Sequence, residues 1–364
     1  MTAKINLIMK VTSKCNLACS YCQYTADLTT TNNNLIMSRE ILQRSISQLM
    51  ALPSKNVTLI WHGGEPLLVG IDFYEEVICL LQHQKKESQK IINNIQTNAT
   101  LLNEEWINFF QKNNFNISIS LDGPSKIHKM QRLYPSGTDS FTHIMQAVKL
   151  LMDYKLKFGL LSVVTKESIK KPKEIYNFFK NNNFKSFDFL PCVEINKDTG
   201  EIRGSSITAS EFADFMIQVF DLWIKDDNPD IRIRYFDNVL KCLLGGKPTL
   251  CKFAGTCSDF ITIDCNGDIY PCDNFVGYSA LKFGNILSDD LQVVIKSDKY
   301  KKFVKKINAI KPECSNCEWY KICQGGCPYY RYMSGQDFTN ENYFCEARKS
   351  IFKHVENRVR ANFC

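Results

Sequence analysis

The chain predicts an α/β fold: a parallel sheet curled toward a partial (β/α)6 barrel, followed by a small cysteine-rich domain built around metal. Three observations carry that prediction. Short segments rich in β-branched and aromatic residues alternate with longer amphipathic segments through the first two-thirds of the chain. The segment from Cys251 to Cys364 holds ten of the 16 cysteines and has weak hydrophobic periodicity. A chain of 364 residues can bury a large core without crosslinks, so the cysteines are not required as staples.

The strand candidates are 5–11, 57–61, 91–96, 117–121, 159–164 and 186–190. Helical patterns at 38–50, 73–84, 103–112, 141–154 and 173–181 lie between them, and another at 209–224 follows the last strand. Ser38 with Glu40, Asn103 with Glu104 and Glu105, and Ser210 with Glu211 supply caps and acidic first turns. In such a fold the chemistry sits on loops at the C-terminal ends of the strands. After residue 228 the pattern changes, and 229–250, with a short strand-like run and a Gly-Gly-Lys-Pro turn, reads as a bridge. A hairpin is expected around 261–270, turning at Cys265-Asn266-Gly267-Asp268. No internal repeat is visible, and the low-complexity tract at 29–34 is short.

The N-terminus lacks a basic region followed by an apolar stretch and cleavage site, and no window offers a membrane-spanning run. The expected location is therefore the cytoplasm, where thiols stay reduced and abundant cysteine points to metal ligation or redox chemistry. The net charge, 45 − 38 = +7, is mild and calls for neither nucleic acid nor a membrane as partner.

The first strand runs into SKCNLACSYCQY, which places Cys15, Cys19 and Cys22 in a C-x3-C-x2-C spacing. Three thiolates leave a fourth metal position open, which suits an iron-sulfur cluster with one free iron better than a closed structural zinc site. This triad, with the aromatic Tyr21 before its last cysteine, resembles the radical S-adenosylmethionine (SAM) enzymes. The resemblance continues at Gly63-Gly64-Glu65-Pro66, which in that family receives the amino group of SAM. Glycines allow close backbone approach, and a carboxylate pairs with an ammonium. Asn98, in Gln96-Thr97-Asn98, and Ser120, in Ser120-Leu121-Asp122-Gly123, end the third and fourth strands where the family holds SAM ribose and carboxylate. Leu190 ends the sixth and is a candidate to pack on adenine, or else a core residue.

The remaining cysteines resemble the SPASM extension of radical SAM enzymes, a family-specific pattern of Cys251-x5-Cys257-x9-Gly267-x4-Cys272, then Cys314-x2-Cys317-x5-Cys323-x3-Cys327, then Cys345. The resemblance implies one auxiliary cluster on Cys251, Cys257, Cys272 and Cys327 and a second on Cys314, Cys317, Cys323 and Cys345. With the SAM-binding cluster that makes three 4Fe-4S clusters. The implied domains are a radical SAM partial TIM barrel (1–228), a bridge (229–250), and a SPASM domain with a C-terminal helix (251–364). Five cysteines remain. Cys79 and Cys242 read as small core residues, Cys192 as a possible substrate-facing thiol after the sixth strand, Cys364 as exposed, and Cys265 has no assigned role.

Among SPASM enzymes the resemblance implies a peptide or protein substrate and an electron donor such as flavodoxin or ferredoxin. Asp273, directly after Cys272, matches an acidic residue that acts as base in anaerobic sulfatase-maturating enzymes. Tyr235-Phe236-Asp237-Asn238, and Asp122-Gly123-Pro124 with His128 and Arg132, also resemble that branch. Arg132 is a candidate to bind SAM or a substrate carboxylate, and His128 reads as a surface residue. Trp61-His62-Gly63-Gly64-Glu65-Pro66-Leu67-Leu68 instead resembles the maturases of ribosomal peptides, including cyclophane-forming enzymes. The first strand starts too early for the leader-recognition domain of many such maturases, which leaves room for a separate leader-peptide-binding protein. The leading expectation is a maturase that installs a crosslink on a precursor peptide. The alternatives are oxidation of a sulfatase Ser or Cys to formylglycine, and a non-catalytic metal-binding scaffold.

Overall fold

The computed structural model describes residues 4–22, 35–196, 199, 201–202, 206–333 and 335–363. The 29–34 tract and Cys364 lie outside them. In chain order the main elements are β1 (Lys4–Thr12), α1 (Arg39–Ala51), β2 (Asn56–Gly63), α2 (Ile71–Gln84), β3 (Lys90–Thr97), α3 (Glu104–Lys112) and β4 (Asn116–Ser120). Next come α4 (Ser125–His128), α5 (Phe141–Asp153), β5 (Phe158–Val164), α6 (Pro172–Asn181), β6 (Ser186–Pro191), α7 (Ala209–Asp226), β7 (Arg232–Ile233) and α8 (Arg234–Leu243). The strands β8 (Phe260–Ile263), β9 (Asp268–Tyr270) and β10 (Gly284–Asn285) follow, and a helix over Cys345–Phe363 closes the chain. The expected strands and helices are all present, with ends shifted by at most two residues.

The chain forms two compact units, and the first comprises Met1–Ser120, Arg132–Phe158 and Ser258–Val304. Its strands β1 to β4 run parallel. Eight of the nine β1 residues are buried, as a parallel strand covered on both faces requires. Ser38 caps α1 by accepting from Ile41 N at 3.2 Å, and Asn103 caps α3 by accepting from Trp106 N at 3.0 Å. The hairpin of β8 and β9 forms as expected, closed by Asp264 N–H on Asp268 O. It does not stand in a separate cysteine-rich body, because β8 pairs in parallel with β1 over Asn6–Met9. That pairing joins segments about 250 residues apart, a separation that no local pattern reveals.

The second unit comprises Leu121–Gln131, Gly159–Cys257 and Lys305–Cys364, and in it β5, β6 and β7 run parallel. Here α7 is capped by Thr208, not Ser210, in a capping box with Glu211. The expected bridge contains α8, whose buried Tyr235, Phe236 and Val239 lie on one helical face. The cysteine-rich part has an apolar core as well as thiols. Phe253 packs edge-on to Tyr235 at 5.1 Å and to Phe352 at 5.6 Å, and Trp319 lies 5.9 Å from Phe352. No helix among the described residues is long and apolar enough to cross a membrane.

Candidate functional site

In the first unit the C-terminal ends of β1, β2 and β3 are tied into one platform. Gly64 N donates to Thr12 O and Glu65 N to Lys14 O, each at 2.8 Å, so the turn after β2 is strapped to the loop that leads into Cys15. A side chain at Gly64 would collide with the Lys14 carbonyl, so only glycine admits this approach. Glu65 is 1% exposed. Its Oε1 accepts from Leu67 N at 3.0 Å and Thr97 Oγ1 at 2.7 Å, and its Oε2 accepts from Asn98 N at 2.7 Å. Burial nonetheless pushes its carboxyl up to about 7, against the pull of these donors and of Arg132.

That clamp yields a prediction. Glu65→Gln places an amide NH2 against donors that now point at a carboxylate, leaving buried groups unmatched at a cost of about 1–3 kcal/mol. A folded-state value raised to about 7 from 4.5 means that the folded chain holds the extra proton between those limits. The group's contribution is therefore fully present at low pH and falls as pH rises through about 7. Thermal melting of the apoprotein between pH 5 and 8, marking roughly that window, should show a flatter pH dependence for Glu65→Gln, with its Tm deficit against the wild type greatest at pH 5 and shrinking as pH rises through about 7.

The three cysteines of the motif are held together beside this clamp. Cys15 receives Leu17 N at 3.4 Å and Asn98 Nδ2 at 3.8 Å, and Cys19 receives Arg132 Nη1 at 3.9 Å. Burial pushes the Cys15 thiol up to about 12, and Glu65, Cys19 and Cys22 add to the rise. Nearby thiols with N–H donors aimed at sulfur suit thiolate ligands of a cationic cluster, whose binding would displace the protons. Asn98 braces the loop: its Nδ2 also donates to Asn16 Oδ1 at 2.9 Å, and its Oδ1 accepts from Thr100 N and Oγ1. Arg132 is buried and lies 5.3 Å over the Tyr21 ring. Ser120, half-buried at the end of β4, accepts from Gln96 Nε2 at 3.0 Å.

Asp273 belongs to the same unit, in a short turn after β9, and Cys272 Sγ donates to its Oδ1 at 3.1 Å. His62, next to the glycine pair, lies within electrostatic range of Asp273 and Lys10. Burial lowers its pKa, Asp273 raises it and Lys10 lowers it further. Lys10 pairs with His62 in the β1–β2 register and forms an ion pair with Asp264 at 3.6 Å. Strand register brings Lys10, His62 and Thr97 to the site, which spacing within a motif does not encode.

The second unit holds seven of the eight other candidate ligands. Cys314, Cys317, Cys323 and Cys345 line one cleft together with Arg331 and Arg348. Cys327 and Cys251 influence each other, and burial pushes the Cys327 thiol up to about 11. Cys257 lies within electrostatic range of Arg331. Cys272, expected to complete the set with Cys251, Cys257 and Cys327, belongs to the first unit.

Several expectations require correction. Cys79 is exposed, not core, because the buried stripe of α2 runs through Tyr74, Val77 and Leu81. Cys242 is only half-buried. Cys192 is no open thiol: it is 4% exposed, donates to Glu194 Oε1 at 3.8 Å, and burial with Glu194 pushes it up to about 12. His128 is fully buried, not at the surface, and its Nδ1 accepts from Asp122 N at 3.4 Å. Leu190 is 36% exposed, so it is not a core residue. Trp61, part of the motif that pointed toward a peptide-crosslinking branch, is fully buried with Nε1 on Asn93 Oδ1 at 3.1 Å. It serves the sheet core.

Comparison with known proteins gives two family matches: the radical SAM superfamily over residues 9–179 and the iron-sulfur cluster-binding SPASM domain over residues 251–318. The chain is 36% identical to a cysteine-type anaerobic sulfatase-maturating enzyme of Clostridium novyi, over 95% of this chain and 94% of that protein. It is 32% identical to a serine-type anaerobic sulfatase-maturating enzyme of Bacteroides thetaiotaomicron, covering 96% and 88%. The solved structure of native anSMEcpe with bound AdoMet and Cp18Cys peptide superimposes with a TM-score of 0.87 at 29% identity, covering 98% of each chain. These likenesses overturn the expectation of a crosslinking peptide maturase and favour the sulfatase-maturation alternative.

Proposed function

The chain belongs to the radical SAM family with a SPASM domain that includes the anaerobic sulfatase-maturating enzymes, and from that premise we propose that it oxidises a cysteinyl or seryl side chain of a sulfatase to formylglycine. Its cofactors are S-adenosylmethionine and 4Fe-4S clusters. The donor sets around Cys15 and in the Cys314–Cys345 cleft suit such clusters. Bound to the chain, these groups supply a hydrogen-abstracting deoxyadenosyl radical and an acceptor for the remaining electron.

In this reading Cys15, Cys19 and Cys22 hold the SAM-binding cluster, and the platform of Gly63, Gly64 and Glu65, with Tyr21, Asn98, Ser120 and Leu190, positions SAM. Cys251, Cys257, Cys272 and Cys327 hold one auxiliary cluster, and Cys314, Cys317, Cys323 and Cys345 the other. The radical SAM domain spans 1–228, the bridge 229–250 and the SPASM domain 251–364. Asp273 takes the proton from the substrate thiol or hydroxyl as its Cβ loses a hydrogen atom and one electron leaves. For cysteine the thioaldehyde so formed adds water and releases hydrogen sulfide, giving the aldehyde. For serine the aldehyde forms directly. An electron carrier such as flavodoxin or ferredoxin delivers the reducing electron in the cytoplasm.

The observation that carries the reading is the carboxylate of Asp273 beside Cys272, in the unit that also holds the Cys15 triad and the Glu65 clamp, in a chain so similar to sulfatase-maturating enzymes. The test is anaerobic reaction of the reconstituted protein with SAM, a reductant and a sulfatase-derived peptide bearing the target cysteine. An aldehyde captured by a hydrazine probe is expected. An intact cysteine alongside continued formation of 5'-deoxyadenosine would overturn the reading.

A further inference from the structure

Two arginines of the second unit have no place in the steps above. Arg331 and Arg348 are 3% and 6% exposed, and both line the cleft of Cys314, Cys317, Cys323 and Cys345. Among the described residues no acceptor meets Arg331 Nε, Arg348 Nε or Arg348 Nη2. Arg331 is anchored by Nη2 donating to Ile307 O at 3.0 Å. A buried guanidinium is costly unless an anion compensates it.

Both arginines lie within electrostatic range of cysteines from both expected ligand sets. The largest charge influences on Arg331 come from Cys327, Cys314 and Cys257, with Arg348 next. Arg348 in turn acts on Cys327 and on Cys345. Its guanidinium lies flat over Gly326, in the short turn joining Cys323 of one set to Cys327 of the other. A Cβ at Gly326 would come within 2.5 Å of the guanidinium carbon and both terminal nitrogens. The absent side chain is therefore what seats the cation between the sets.

We propose that Arg331 and Arg348 form one cationic bridge shared by the two auxiliary clusters, which stabilises an added electron on either and raises both reduction potentials. A 4Fe-4S cluster on four thiolates is an anion, and one-electron reduction adds a further negative charge. Net charge and hydrogen bonds to sulfur are the protein's means of setting its potential. In turnover the electron comes from the oxidised substrate; in a titration it comes from dithionite. The inference rests on the ligand assignment proposed above for these cysteines and does not depend on which substrate is oxidised.

The test is a redox titration of the anaerobically reconstituted holoenzyme, followed by electron paramagnetic resonance, with iron counted in each sample. Arg348→Gln should disfavour reduction of both auxiliary clusters about tenfold, about 59 mV for a one-electron couple, while Arg348→Lys stays near wild type. Unchanged potentials in Arg348→Gln, or an equal fall in Arg348→Lys, would overturn the proposal. Should Arg348→Gln lose auxiliary iron while Arg348→Lys keeps it, the charge requirement stands. Loss in both variants would show that packing and not charge is what matters. Absence of auxiliary iron from the wild-type protein would instead refute the ligand assignment on which the inference rests.

Discussion

Asp273→Asn is expected to lower formylglycine formation by about 10²–10⁴-fold, the range that a positioned base contributes, while 5'-deoxyadenosine still forms. The asparagine is isosteric, so it keeps the turn at Asp273–Phe275 and its place beside Cys272, but it cannot take a proton at neutral pH. In the proposed reading cleavage of SAM depends on Cys15, Cys19, Cys22 and Glu65, whose contacts described above do not include Asp273. The two products should therefore uncouple. Counting aldehyde and 5'-deoxyadenosine in the same reaction tests this. Parallel loss of both would assign Asp273 to the integrity of the platform and not to proton transfer.

Gly64→Ala is the second large effect. The added methyl would meet the carbonyl of Lys14, which is backbone, so no side-chain rotation relieves the clash. The hydrogen bonds from Gly64 N and Glu65 N to the β1 loop must then lengthen, and the loop leading into Cys15 shifts. Overpacking of this kind costs about 1–3 kcal/mol, which the fold can absorb. The loop's cysteines, which need fixed spacing to hold a cluster, cannot. The expected result is a folded protein that has lost about one cluster's worth of iron and the ability to cleave SAM, with the iron of the proposed auxiliary clusters retained. Iron analysis and the 5'-deoxyadenosine yield check it. Full iron content with normal SAM cleavage would show that the glycine is not needed for close approach.

The alternation of strands and helices was legible because each element's burial follows its own period. In α2, for instance, Tyr74, Val77 and Leu81 form the buried stripe while Cys79 points away. The cysteine motifs were legible for a different reason, since metal ligation ties residue identity to spacing along the chain. What stayed hidden is nonlocal. The pairing of β8 with β1 cannot be read from either strand alone. The same holds for the electrostatic grouping of Lys10, His62 and Asp273, which strand register and the β8–β9 hairpin bring together. Trp61 misled for a related reason: a motif residue beside the glycine pair looked functional, yet its indole closes the sheet core against Asn93. His128 misled in the opposite direction, because a four-residue helix and its hydrogen bond from Asp122 N bury it in a way that composition does not signal.

The central claim, that this chain removes hydrogen from Cβ of a sulfatase residue and leaves an aldehyde, is tested most directly with a peptide in which both Cβ hydrogens of the target cysteine are deuterium. The account predicts one deuterium in 5'-deoxyadenosine and one retained on the aldehyde carbon. Unlabelled 5'-deoxyadenosine with the cysteine unchanged, or a product that keeps both deuterons, would contradict it.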